Sequence, residues 1–395
     1  MSKSRDPRTV AAANGVAIDT AFGAVTPPLH LSTTFAFEGF ERSRTHDYSR
    51  TSNPTRSLLA ETLAELEGGA GAVVVASGMA AIDLVFSQLG PDDLAVAPHD
   101  CYGGTHRLLS ARRDRGHFDV VFVDQNDEQA LARAFEKFPS MVLVETPSNP
   151  LMRVVDIRSM ADRAGKSGAK LVVDNTFLSP ALQRPLLLGA DYVVHSTTKY
   201  LNGHSDVVGG AVVAAARSDA ETLAAWANVV GTTGSPFDSY LTLRGLRTLF
   251  PRVAQQQETA HAVARYLAGH PLVSAVYYPG LSSHPGHEIA RRQQSGFGAM
   301  LGFELKGGCG AVHRFVEAVR IFTLAESLGG VESLVAHPAT MTHAGMDPEA
   351  RRTAGITDGL LRLSIGLEAE ADLISDLDLA LASVEETQVL AQSAL

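Results

Sequence analysis

Seven short apolar runs, six of them closing on polar residues, recur between residues 72 and 216 and constrain the fold more than any other feature. They are AVVVAS (72–77), DLAVAPHD (93–100), DVVFVDQ (119–125), MVLVET (141–146), KLVVDNT (170–176), DYVVHST (191–197) and GAVVAAA (210–216). Amphipathic stretches such as Gln129–Phe138 and Ile157–Gly168 lie between them. Continuous apolar runs alternating with helix-length segments predict a mostly parallel seven-stranded sheet covered on both faces. Ligands of such sheets bind beyond the carboxyl ends of the strands. The polar residues to watch are therefore Ser77-Gly78-Met79, His99-Asp100, Glu145, Asp174-Asn175 and His195 to Lys199.

The flanks read differently. Residues 1–62 show weak periodicity, with prolines at 27, 28 and 54, and predict an extended arm that packs on something else, such as a neighbouring subunit. Residues 63–255 form the sheet-bearing domain. Residues 256–395 read as a smaller α/β domain, with a helix at Gln255–Leu267, strands at Ala275–Tyr278, Ala299–Leu305 and Leu360–Ile365, and a closing helix from Ala369.

The formal charge of −10 argues against a nucleic-acid or anionic-membrane partner, since both need clustered positive charge. Two cysteines, Cys101 and Cys309, make neither a disulfide framework nor a close-spaced metal pair, and no metal is expected. The N-terminus has no signal-peptide core and no run is long enough to span a bilayer, so a cytoplasmic location is expected. Of 33 basic residues only six are lysines: Lys3, Lys137, Lys166, Lys170, Lys199 and Lys306.

Lys199 stands out among them because it follows a buried strand within HSTTKYLNGHSD. Desolvation there favours the neutral amine, a nucleophile toward carbonyls; a lone lysine at a strand end is otherwise usually a solvated one. Asp174 closes another strand and has the chemistry to keep a pyridinium nitrogen protonated, or equally to cap a helix or bind a metal. Ser77-Gly78-Met79 joins a strand to a helix, whose first N–H groups suit a phosphate. Ser196 and Thr198 add hydroxyls on either side, and Tyr102 follows another strand, where it can stack on a flat ring. Neither a P-loop nor a GxGxxG pattern is present. His99, His195 and His204 match no ligand spacing and read as structural, and Cys101 has no dedicated base beside it.

These residues sit within YSRTSNPT, ETPSNP, VVDNTF, HSTTKYLNGHSDVVGG, AESLGGVESL and LRLSIG. In that order they resemble the Cys/Met-metabolism pyridoxal phosphate enzymes of fold type I, from about Asn14 to the C-terminus. HDYSR, APHDCYGGTHR, FDSYLTLRGLRTL and MTHAGMDPEAR are most similar to bacterial members that join cysteine to an acylated homoserine, such as O-succinylhomoserine, giving cystathionine. The resemblance implies a pyridoxal 5'-phosphate Schiff base on Lys199, which also shuttles protons. It implies that Asp174 pairs with the pyridine nitrogen, that Tyr102 stacks on the ring, and that Gly78, Met79, Ser196 and Thr198 hold the phosphate.

Tyr48 and Arg50 resemble residues that reach the phosphate from a neighbouring subunit, which implies a homotetramer built from dimers that share active sites. Asn149 is implied near the ring hydroxyl and the substrate. Arg362 is implied as the clamp on the substrate α-carboxylate, with Ser327 alongside. Glu326 suits the amino group of cysteine or cystathionine, and Arg107 a distal acyl carboxylate. Thr51 and Ser52 depart from the Arg-Gly of close bacterial members, which leaves the acyl group open. Cleavage of cystathionine at its γ-carbon and sulfhydrylation of an acylated homoserine share this site. A cofactor-binding protein without catalysis, or a Rossmann-like binder, are the readings from other classes.

Overall fold

The computed structural model describes residues 5–346 and 348–393. Lys3, and Asp347 of the MTHAGMDPEAR stretch, lie outside the described residues. All seven apolar runs form strands: β1 (Gly71–Val75), β2 (Leu94–Pro98), β3 (Asp119–Val123), β4 (Met141–Glu145), β5 (Lys170–Asp174), β6 (Tyr192–Ser196) and β7 (Gly210–Ala214). They make one mixed sheet in the order β1-β7-β6-β5-β4-β2-β3. β5 and β6 are parallel, while β7 runs antiparallel to both β6 and β1. Every residue of β4 and β7 is buried, as strands covered on both faces must be.

Helix α1 (Pro7–Ala13) and helix α2 (Pro54–Glu67) both begin inside the segment expected as an arm. The start of α2 follows from local chemistry: Asn53 Oδ1 accepts from the N–H groups of Thr55 and Arg56, and Pro54 takes the first helical position, where its missing N–H costs nothing. Between these helices the chain is irregular and leaves large apolar side chains exposed, Phe22 and Phe40 above all. Helix α3 (Gly78–Phe86) is capped by Ser77, whose Oγ accepts from Ala80 N–H, and it packs on β6 and β7. Helix α4 (Gly103–Asp114) follows Tyr102.

The C-terminal part holds a second sheet: β8 (Val273–Tyr277), β9 (Met300–Leu305), β10 (Thr323–Leu324), β11 (Leu334–Ala336) and β12 (Leu360–Ser364), ordered β10-β11-β12-β9-β8. β12 is antiparallel to β9 and β11 and buried along its whole length. The chain forms two compact units. One takes in residues up to Leu94 with Phe138–Leu143 and Ile157–Phe250; the other takes in Ala95–Lys137, Val144–Asp156 and Pro251 onward. Segments 95–137 and 144–156 thus group with the C-terminal sheet, across the border expected at residue 255. No helix among the described residues is long and apolar enough to cross a membrane.

Candidate active site

In the first unit, Lys199 lies on the turn after β6, its backbone N–H donating to Ser196 O at 3.3 Å and its carbonyl accepting from Gly203 N–H at 2.7 Å. The turn that precedes α3 packs against Ser196 and the start of β7. A Cβ on Gly78 would fall 2.8 Å from Ser196 Cβ, and one on Gly210 only 2.0 Å from Ser77 O. Glycine is therefore required at both positions by close backbone approach. The consequence is that the first N–H groups of α3, which have no intrahelical acceptor, lie beside the Ser196 side chain. Thr198 Oγ1 binds the Gly209 backbone, accepting from N–H at 3.0 Å and donating to O at 3.3 Å.

Asp174 closes β5. Burial pushes its carboxyl up from the ordinary carboxylate range, against the lowering effects of the Thr176 hydroxyl, the Thr176 N–H and the nearby His195. Thr176 N–H donates to Asp174 Oδ1 at 3.0 Å, and Thr176 Oγ1 accepts from Ser196 N–H at 2.9 Å. One threonine thus ties the carboxylate to the strand end that leads to Lys199. A desolvated carboxyl gains most from a cation set against it. Together with the glycine-lined turn at α3, this donor and acceptor set fits a phosphorylated pyridinium.

Tyr48 and Arg50 lie in the same unit. The Arg50 guanidinium sits 5.6 Å from the Tyr48 ring centroid, and its Nη1 donates to Asn228 O and Oδ1 at 2.8 and 2.7 Å. Their loop is pinned by Arg56 of α2, a buried side chain that donates to the carbonyls of Ser49, Arg50 and Gly234. Thr51 Oγ1 reaches the same Asn228 Oδ1 at 3.5 Å.

In the second unit, Arg362 projects from buried β12 and is 2% exposed. Its Nη1 donates to Asn149 Oδ1 at 3.1 Å and its Nη2 to Ser327 O at 2.7 Å. Ser327 takes a φ of +82°, a left-handed conformation uncommon for serine, which is one way to aim its carbonyl. Glu145, at the end of β4, receives the N–H of Tyr102 at 2.9 Å and of Asn149 at 3.0 Å. One carboxylate therefore sets both the start of α4 and the Asn149 turn. Tyr102 is 40% exposed at the head of α4. Arg107 and Glu326 are exposed.

Two residues of these clusters escaped the sequence reading, whereas Glu145 was among the strand-end polar residues expected there. Thr176 sits beside a recognised motif, and a polar residue closing a buried strand was the available signal. His343 had no such signal. It is fully buried, its ring bonds Thr342 Oγ1 at 2.9 Å, and burial with the Arg362 cation pushes it down to about 4. The loop that carries it also seats Arg107: a Cβ on Gly345 would fall 2.9 Å from Arg107 Nη1, and one on Gly103 3.0 Å from Thr342 O.

Comparison with known proteins agrees with this chemistry. The family model described as Cys/Met metabolism PLP-dependent enzyme matches residues 8–382. The chain is 58% identical to cystathionine gamma-synthase of Escherichia coli (strain K12) over 376 residues, 95% of this chain and 97% of that one. It is 42% identical to cystathionine gamma-lyase of Bacillus subtilis (strain 168), over 95% and 99% of the two chains. The crystal structure of cystathionine gamma synthase from Xanthomonas oryzae pv. oryzae in complex with cystathionine is 58% identical, with a TM-score of 0.96, covering 97% of this chain and 99% of that one. The chain belongs to the family of Cys/Met metabolism PLP-dependent enzymes.

Proposed function

We propose that this protein is a cystathionine gamma-synthase, replacing the γ-acyloxy group of an O-acylhomoserine with the sulfur of cysteine. The observation that carries the reading is 58% identity over nearly the whole of a synthase from Escherichia coli, against 42% to a gamma-lyase of similar coverage. Pyridoxal phosphate, when bound, supplies the electron sink that lets the Cα–H and Cβ–H bonds of the amino acid break.

The chain's own residues do the rest. Lys199 Nζ anchors the cofactor, takes the Cα proton and carries protons to and from the reacting carbons. Asp174 keeps the ring nitrogen protonated; the cation it gains there relieves the desolvation that raises its own carboxyl. Gly78 and Met79 N–H with the Ser196 and Thr198 hydroxyls hold the phosphate. Tyr102 covers the ring. Arg362, aimed by Asn149 Oδ1 and Ser327 O, clamps the α-carboxylate. Loss of the Cβ proton lets the Cγ–O bond break and the acyl carboxylate leave. The cysteine sulfur then bonds to Cγ as its thiol proton departs. Glu326 suits the amino group of the incoming cysteine.

The distal carboxylate of a succinyl ester is assigned to Arg107, an exposed cation beside the loop that carries His343. Exposed Phe22, Phe40, Val25 and Leu31 in the arm support burial of that segment against a neighbouring subunit, and a homotetramer of active-site-sharing dimers. Product analysis tests the reading. O-Succinylhomoserine with cysteine is expected to give cystathionine and succinate faster than cystathionine alone gives 2-oxobutyrate and ammonia. The opposite ranking would make the chain a lyase.

A further inference from the structure

Behind the cofactor-facing ends of β5 and β6 lies a wholly buried polar cluster. His195 Nε2 and Glu67 Oε1 are 2.7 Å apart, and Asn175 Nδ2 donates to that same Oε1 at 2.8 Å. Asn175 Nδ2 also donates to Gln183 O at 2.8 Å, and Gln183 Nε2 returns a bond to Asn175 Oδ1 at 3.1 Å. None of the four residues is more than 1% exposed.

Consecutive side chains in a strand point to opposite faces. Asp174 pairs with Val194 in register, so Asp174 and Ser196 share one face, with α3. Asn175 and His195 share the other, with α2 and its last residue, Glu67. A single oxygen of Glu67 thus joins β5 to β6 from the rear, one residue along from Asp174 and one residue before Ser196. On the front, Thr176 ties the same two ends.

Stability alone does not account for the cluster. Glu67 Oε2 and His195 Nδ1 are buried without a hydrogen-bond partner among the described residues. A buried ionisable pair left partly unsatisfied recovers little of its desolvation cost, and apolar residues of similar size serve stability as well or better. We propose that Glu67, His195, Asn175 and Gln183 form a positioning device that fixes the offset between β5 and β6, and so the placement of Asp174 relative to Ser196. The proposal rests on the cofactor role assigned above to those two residues.

The test uses the full chain, stripped of cofactor and retitrated with pyridoxal phosphate. In Glu67→Leu/His195→Leu the tie is replaced by an apolar pair. Its apo form is expected to unfold in urea at or above the wild-type midpoint, while its affinity for pyridoxal phosphate falls roughly tenfold or more. The pH midpoint of its visible absorption band is expected to move. Glu67→Gln keeps an acceptor oxygen in place and is expected to stay within about twofold of wild type in affinity, with an unmoved band.

Wild-type affinity and band in the double variant would overturn the proposal. So would a fall in apo stability that accounts for the lost affinity, or a Glu67→Gln chain as weak as the double variant. Where the double variant does not fold, Asn175→Ala, which frees β5 alone, decides by the same titration. A wild-type chain lacking any borohydride-reducible band would instead sink the underlying cofactor assignment.

Discussion

Arg362 shows what one side chain needs before it can bind a substrate. Its guanidinium is buried and already donates to Asn149 Oδ1 and Ser327 O, so its orientation is set before a carboxylate arrives. Lysine in its place would offer a point charge without the planar fork. Arg362→Lys is expected to lower kcat/KM roughly ten- to hundredfold, the equivalent of one charge-assisted hydrogen bond, with most of the loss in KM. Steady-state kinetics with the acylated amino acid varied checks it. Arg107 is exposed, so its contribution is smaller and substrate-dependent. Arg107→Ala is expected to raise KM for the succinyl ester about tenfold while leaving the acetyl ester, which has no distal carboxylate, nearly unchanged. Equal effects on both esters would remove the acyl-carboxylate role. Lys199, Asp174 and Arg362 could be proposed from the sequence because each sits in a motif at a strand or at its polar end. His343 and Glu67 were not: one sits on a loop and the other ends a helix, and only tertiary packing makes them matter.

Two glycines carry the argument to whole elements, because the same substitution has opposite signs in different settings. At Gly210 the first residue of β7 meets the Ser77 carbonyl, where a Cβ would fall at 2.0 Å. Neither backbone can yield without moving β7 or α3, so Gly210→Ala is expected to cost at least about 1–3 kcal/mol and to weaken cofactor affinity, since the same turn presents the α3 N–H groups. Gly165 lies exposed inside the Ile157–Ser167 helix, with nothing near its would-be Cβ. Gly165→Ala is expected to stabilise by about 0.5–1 kcal/mol through helix propensity alone. Urea midpoints of both variants check the pair of signs. At this scale the sequence was informative wherever burial imposed a pattern. All seven strands of the large sheet, and β8, β9 and β12 of the smaller one, follow from apolar runs. β10 and β11 are two and three residues long, too short for any periodicity. The start of α2 was hidden by a proline that reads as a breaker yet occupies the first turn of a helix.

The whole molecule should respond to acid through its buried imidazoles. Burial pushes His284 down to about 4, with His287 adding to the effect, and burial with Arg362 does the same for His343. In the unfolded chain both titrate near the ordinary value of about 6.5. Above that pH the two groups are neutral in both states and their contribution to stability is fully present. As pH falls below it, only the unfolded chain takes up protons, so stability is lost down to about pH 4, by at most about 3 kcal/mol for each group. His46, His106 and His337 are also lowered, chiefly by burial, and act in the same direction. Asp174 opposes them: its raised carboxyl binds a proton in the folded state first, so acidification favours folding at that one group. Between pH 7.5 and pH 5.5 the His284 and His343 pair should lower the unfolding free energy of the apo chain by about 3 kcal/mol. His284→Gln or His343→Gln should each recover about half of that loss. Urea titrations at the two pH values measure the difference, and single variants that leave it unchanged would show that these imidazoles do not set the acid limit.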